Sequence, residues 1–205
     1  MSTSASSHSL SFSGANDREL VASALSGLEG GFEELVTRYQ RPISAYVYRM
    51  VGDYETALDL TQEIFIKIHG SLSRYRPEFK FSTWIYKIAH NAAIDHLRRS
   101  SGRERSLSSS KGNSDSDQYD LPIEAVGLTP EQQTEREERR VEIESVVQAL
   151  PTAYCELIVL RHSQDLTYEE IVEVTGLPLG TVKNRLFRAR DIMRQQFLNR
   201  GITGI

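Results

Sequence analysis

Apolar positions along this chain recur at helical spacing and show no strand-like alternation of any length, which predicts an all-α fold. Phe32, Leu35, Val36, Tyr39, Ile43, Tyr46, Val47 and Met50 mark one long amphipathic helix, with a bend expected at Pro42. A shorter helix precedes it from Asp17 to Leu28 and ends near Gly30-Gly31. Ala57, Leu58, Leu60, Ile64, Phe65 and Ile68 mark a third, after the break at Gly52-Asp53. Ser82 or Thr83 is placed to cap a fourth, whose core face is Trp84, Ile85, Ile88, Ala92 and Leu97. A second block opens with Val141, Ile143, Val146, Val147 and Leu150, stops at Pro151, and resumes with Leu157, Ile158 and Leu160.

The stretch from Leu166 to Gln195 has the layout of a helix-turn-helix. Thr167 and Glu170 form a Thr-x-x-Glu capping box that starts its first helix. Ile171, Val172 and Val174 give that helix an apolar side. Gly176 stands where a tight turn needs positive φ. Pro178 suits the first turn of the second helix, where a missing N–H costs nothing. Val182, Leu186 and Met193 then face the core, leaving Lys183, Asn184, Arg185, Arg188 and Arg190 mostly outside. From Gly176 onward six bases stand against one acid, Asp191, in a chain whose net charge is −4. A local excess that opposes the overall balance favours a phosphate-binding face over an ordinary solvated one.

Between the blocks, residues 102–130 are rich in Ser, Gly and Asp and poor in apolar residues. Such a segment cannot bury enough surface to offset its ordering entropy, so it is expected to be a flexible linker. The serine-rich residues 1–16 are expected to be a disordered tail with neither the basic start nor the apolar core of a secretory signal. No apolar run approaches the length of a membrane-spanning helix. The single cysteine, Cys155, excludes an internal disulfide and sits in an apolar pattern as a core thiol. The five histidines are scattered, and no phosphate-cradling glycine loop, Cys/His metal spacing or Ser-His-Asp set is present, so no cofactor, metal site or catalysis is expected.

Two further groupings carry candidate chemistry. Asp59, Gln62 and Glu63 share one face of the third helix, opposite Leu60 and Ile64. An acidic stripe of this kind is a solvated face unless a partner claims it. The fourth helix joins aromatics (Phe81, Trp84, Tyr86) to bases (Lys87, His90, Arg98, Arg99), and the loop before it holds Arg74, Tyr75, Arg76 and Lys80. Aromatic and basic groups together suit single-stranded nucleic acid, because bases stack while cations follow phosphates. A loop of this composition could also pocket a flipped base. Trp84 itself is read as a core anchor.

Taken in order, DLTQEIF, FSTWIYKIAHNAAIDHLRR and LPLGTVKNRLFRAR resemble a group 4, or extracytoplasmic function (ECF), sigma factor of bacterial RNA polymerase. The resemblance leaves out only the tail, the linker and the last few residues. It implies a sigma domain 2 over residues 17–101 and a sigma domain 4 over residues 131–205, with no domain 3 between them. Asp59, Gln62, Glu63 and Phe65 would grip the β′ clamp of core polymerase, and domain 4 would meet the β flap. Arg74, Tyr75, Arg76, Lys80, Lys87, Asn91, Asp95 and Arg98 would bind and open the −10 element, and His90 lies in the same segment, with no base-specific role given to it or to His96. Thr181, Lys183, Asn184, Arg185, Phe187 and Arg188 would read the −35 element as duplex, and N–H groups of Leu179, Gly180 and Thr181 could meet a phosphate. An anti-sigma factor, often membrane-anchored in this family, and a cytoplasmic location are further implications. Two other readings stay open on the residues alone: a dimeric helix-turn-helix regulator that needs no polymerase, and a decoy that binds polymerase but not promoters.

Overall fold

In a computed structural model, residues 12, 14–28, 30–106 and 130–201 are described. The expectations of a disordered tail and a flexible linker therefore fall largely outside the described residues. The described chain is helical, and no strand occurs in it. The elements are α1 (Asp17–Leu25), α2 (Gly31–Val51), α3 (Tyr54–Ser71), α4 (Phe81–Ser106), α5 (Pro130–Gln148), α6 (Thr152–Ile158), α7 (Tyr168–Thr175) and α8 (Leu179–Asn199). A 3-10 turn, Leu72–Arg74, follows α3, and a π-helical turn, Val159–Ser163, extends α6.

Local signals set most of these boundaries. Asn16 and Glu19 close a capping box on α1, and Asp53 accepts from the Thr56 N–H to start α3. Gly52, at φ 76°, ends α2 in the left-handed region that favours glycine. Pro42 sits inside α2, which continues through it as one element. Two expectations shift. α4 begins at Phe81, with the Lys80 carbonyl accepting from the Trp84 N–H, so Ser82 and Thr83 lie within the helix rather than capping it. Pro178 stands one place before α8, and its carbonyl accepts the N–H groups of Thr181 and Val182.

The core runs without a break from the first block into the second. Leu35, Ile43, Tyr46, Ile64, Ile68, Ile85 and Tyr86 belong to the same buried cluster as Leu157, Leu160, Ile171, Val182 and Leu186. α2 packs on α3 and α4, α8 packs on α6 and α7, and α7 rests against α4 while α6 rests against α2. The two blocks are thus held in one closed arrangement rather than standing apart. Burying Tyr46 and Tyr86, both nearly inaccessible and edge-to-face with centroids 5.6 Å apart, anchors α2 to α4.

Candidate nucleic-acid interface

The polar face of α3 forms because its apolar positions are consumed by the core. Leu60, Ile64 and Ile68 are buried, while Asp59, Gln62 and Glu63 are exposed. Phe65 is half-buried against the core. Beside these stands Ile66, 72% exposed, which the apolar pattern of the sequence did not single out.

The loop from Ser73 to Lys80 is folded around Tyr75. That ring is 7% exposed and packs against Phe81 and Trp84, with centroids 5.3 Å and 5.7 Å away. Its hydroxyl donates to the Phe79 carbonyl at 2.7 Å, and the Phe79 N–H donates to the Arg76 carbonyl at 3.1 Å. Tyr75, expected to touch DNA, is therefore a pin beneath the loop. Phe79 is 48% exposed, between exposed Arg74, Arg76 and Lys80. It is the aromatic that the loop presents, and composition alone could not choose between the two rings.

On α4, Lys87, Asn91, Asp95 and Arg98 are all exposed and recur at four, four and three residues, so they line one stripe. Arg98 donates to Asp95 at 3.0 Å. His90 faces the other way: it is buried, 3.3 Å from the Tyr46 hydroxyl and 3.6 Å from Glu156. Burial holds its ring below the ordinary imidazole value. Trp84 is half-buried and packs on Phe81, in keeping with a core anchor.

The helix-turn-helix forms where the local signals put it. Thr167 accepts from the Glu170 N–H while Glu170 accepts from the Thr167 N–H, and Gly176 takes φ 71°. Ile171, Val174, Val182, Leu186 and Ala189 close the angle between α7 and α8. Lys183, Asn184, Phe187 and Arg188 are exposed on α8, and Phe187 is 73% exposed. Thr181 is half-buried, and its N–H already donates to Pro178 at 2.8 Å, which removes it from the expected phosphate site. Arg185 is half-buried and leans inward, 3.9 Å from Glu156.

Glu156, like Ile66 and Phe79, is a group that sequence reasoning missed. It is 5% exposed, between His90 of α4 and Arg185 of α8. Burial raises its carboxyl to about 7, with the Arg185 charge pulling the other way. No sequence signal marks a buried glutamate whose partners lie on other helices.

This all-helical architecture with a terminal helix-turn-helix has known counterparts. Residues 35–103 match Sigma-70 region 2, and residues 140–193 match Sigma-70, region 4. The chain is 33% identical to the RNA polymerase sigma-H factor of Pseudomonas aeruginosa, over 85% of this chain and 90% of that protein. It is also 33% identical to the ECF RNA polymerase sigma factor SigW of Bacillus subtilis, over 83% of this chain and 90% of that one. The chain therefore belongs to the sigma-70 family of RNA polymerase sigma factors, in its ECF group. Its fold is similar to that of CnrH, solved in complex with the cytosolic domain of CnrY, at TM-score 0.60 and 23% identity over 87% of this chain and 95% of that one. It is likewise similar to RpoE of Bartonella quintana, solved with the anti-sigma factor NepR, at TM-score 0.62 and 19% identity over 81% of this chain and 96% of that one.

Proposed function

We propose that this ECF sigma factor works through three separate surfaces, each on its own helix. The observation that carries the reading is the exposed stripe Lys87, Asn91, Asp95 and Arg98 on α4, beside a loop that presents Arg74, Arg76, Phe79 and Lys80. Cations, an amide and one exposed ring are what unstacked bases and their phosphates require. This surface would bind the −10 element once its strands part. Lys183, Asn184, Phe187 and Arg188 of α8 would meet the −35 element in the major groove, where Lys and Asn distinguish base edges and Phe187 can contact a thymine methyl.

Asp59, Gln62, Glu63 and half-buried Phe65, with exposed Ile66, would engage the β′ clamp of core polymerase, and domain 4 would engage the β flap. The working units are residues 17–101 and 131–205, joined by 102–130. Opening of the −10 element is then driven by binding energy, as unstacked bases are captured on α4 and its loop, with no hydrolytic step. Such a protein acts in the cytoplasm, where polymerase and promoters are.

An anti-sigma factor is the further partner, of the membrane-anchored kind common in this family. The fold neighbours CnrH and RpoE were each solved with a protein partner, and this chain leaves Asp59, Glu63 and Ile66 of α3 exposed. The test is run-off transcription by purified core polymerase with and without the chain on a pooled promoter library. Initiation that depends on the chain, from sites sharing a −35 and −10 pair, is expected. DNA binding that needs no polymerase would favour a dimeric regulator instead, and core binding without initiation a decoy.

A further inference from the structure

α1 precedes residues 35–103, the part matched to Sigma-70 region 2, yet it is fastened to that block on two sides. Its first turn carries Asp17 and Arg18. Asp17 accepts from Arg38 Nη1 at 2.6 Å and from the Tyr39 hydroxyl at 2.5 Å, both on α2. Arg38 also donates through Nη2 to the Ala15 carbonyl at 3.0 Å, closing over the start of α1. Gly31 sets the approach of the two helices, because a Cβ there would lie 2.9 Å from the Leu20 carbonyl oxygen and the Ala24 nitrogen. On the other side, exposed Arg18 reaches the Tyr75 hydroxyl, and α1 packs on the 3-10 turn that leads into the loop. Burial raises the Tyr75 phenol above its ordinary value, and the Arg18 charge opposes the rise. Tyr39 and Tyr75 both stand edge-on to Phe81, with centroids 5.5 Å and 5.3 Å from it. Neighbouring residues of one helix turn thus hold the hydroxyls of the two tyrosines that flank Phe81.

We propose that α1 is a brace for the loop before α4, with Asp17 tying it to α2 and Arg18 serving as a positioning residue that holds Tyr75 and so fixes how Phe79 is presented to a single strand. That the loop takes −10 bases rests on the function proposed above; the bracing of Tyr75 does not. The outer ring of the loop depends on the inner one, because the Tyr75 hydroxyl donates to the Phe79 carbonyl at 2.7 Å. Arg18 grips that same hydroxyl from outside. Without it, Tyr75 and the backbone at Phe79 gain freedom, and the presenting orientation is occupied only part of the time. Apparent affinity then falls by the fraction of time lost. A ring already held in place spares the strand the cost of ordering the loop. Arg18 touches no base in this scheme and acts through Tyr75.

The test uses the full chain. Trp84, the only tryptophan in the sequence, lies 5.7 Å from Tyr75 and 5.6 Å from Phe81. Acrylamide quenching of its emission therefore reports the ring stack with no DNA present. Affinity for an end-labelled, random-sequence single strand of about ten nucleotides, within the usual site size, is read beside it at several salt concentrations. Arg18→Ala should raise the quenching and lower strand affinity about threefold to tenfold. Its melting temperature should change little, since Arg18 is exposed. Arg18→Lys, which keeps a donor of similar reach, should restore both readouts. In a Phe79→Ala background Arg18→Ala should cost no further affinity, because the two residues act as one unit. Unmoved Trp84 quenching would overturn the brace, and so would a strand affinity that survives a loosened ring stack. A salt slope lower by about 1 in Arg18→Ala, with Trp84 unmoved, would make Arg18 a phosphate contact instead. Failure of the unaltered chain to bind the strand would sink the −10 reading, while the quenching of Trp84 would still decide whether α1 sets the loop.

Discussion

The Tyr75 hydroxyl donates to the carbonyl of Phe79 at 2.7 Å, which turns one ring of the loop inward and leaves the other outside. Phe79→Ala should therefore weaken capture of single-stranded −10 DNA by about 1–3 kcal/mol, the usual range for a lost stacking platform. Phe79→Tyr should restore it. Tyr75→Ala should instead destabilise the fold by about 3–5 kcal/mol, as truncation of a buried aromatic does. Quenching of 2-aminopurine placed in the −10 strand separates the first effect, and thermal melting the second. Equal loss of stability in Phe79→Ala would count against a stacking role.

Arg188→Ala and Lys183→Ala should weaken binding to −35 duplex while leaving single-stranded −10 binding unchanged. Both side chains are exposed on α8, so folding should be unaffected. A residue that contacts only phosphate should lower the salt slope of binding by about 1, whereas one that reads a base should cost about 1–3 kcal/mol and relax specificity at one position. Salt-dependent binding isotherms on duplexes of varied −35 sequence tell these apart.

Asn91→Ala should spare duplex binding and impair opening, measured by permanganate reactivity of −10 thymines. Asp59→Ala with Glu63→Ala, or Ile66→Asp alone, should reduce affinity for core polymerase with no change in melting temperature, since all three residues are exposed. If the α4, α3 and α8 substitutions lost every activity together, the division of surfaces would be wrong and misfolding the better explanation.

His90 and Glu156 make opposite claims on pH. Burial raises the Glu156 carboxyl from its ordinary 4.5 to about 7, so its contribution to the folded, closed chain is fully present below 4.5 and lost as pH rises through about 7. Burial lowers the His90 ring from its ordinary 6.5, so its contribution is present above 6.5 and lost as pH falls. The two offset each other in the unaltered chain across mildly acid pH. His90→Asn should expose the first trend, with stability rising as pH falls from about 8 to 5.5. Glu156→Gln should expose the second, with stability falling over the same interval. Melting temperatures across that range would decide it, and parallel pH profiles for the two variants would contradict the offset.

The helix-turn-helix was legible because its signals are local: a capping box spanning Thr167 to Glu170, a glycine at the turn, and apolar spacing through Val182 and Leu186. The same holds for α2 and α3, where Leu35, Ile43, Tyr46, Val47, Met50, Ala57, Leu60, Ile64 and Ile68 are buried, while Phe32, Val36, Tyr39, Leu58 and Phe65 are half-buried. What the sequence did not reveal depends on partners far along the chain. Glu156 looks like any polar residue of an amphipathic helix until His90 of α4 and Arg185 of α8 close over it. Tyr75 and Phe79 are two aromatics in one loop, and only the packing against Phe81 and Trp84 decides which is buried. The early start of α4 has a similar origin. Phe81 is 2% exposed, so the helix is fixed by a buried ring rather than by a serine or threonine cap.

Run-off transcription with purified core polymerase on a pooled promoter library tests the central claim most directly. Initiation that requires the chain, falls in Asp59→Ala/Glu63→Ala, and starts from sites sharing a −35 and −10 pair is the expected result. Promoter-specific binding by the chain alone, with no initiation when core polymerase is added, would contradict it.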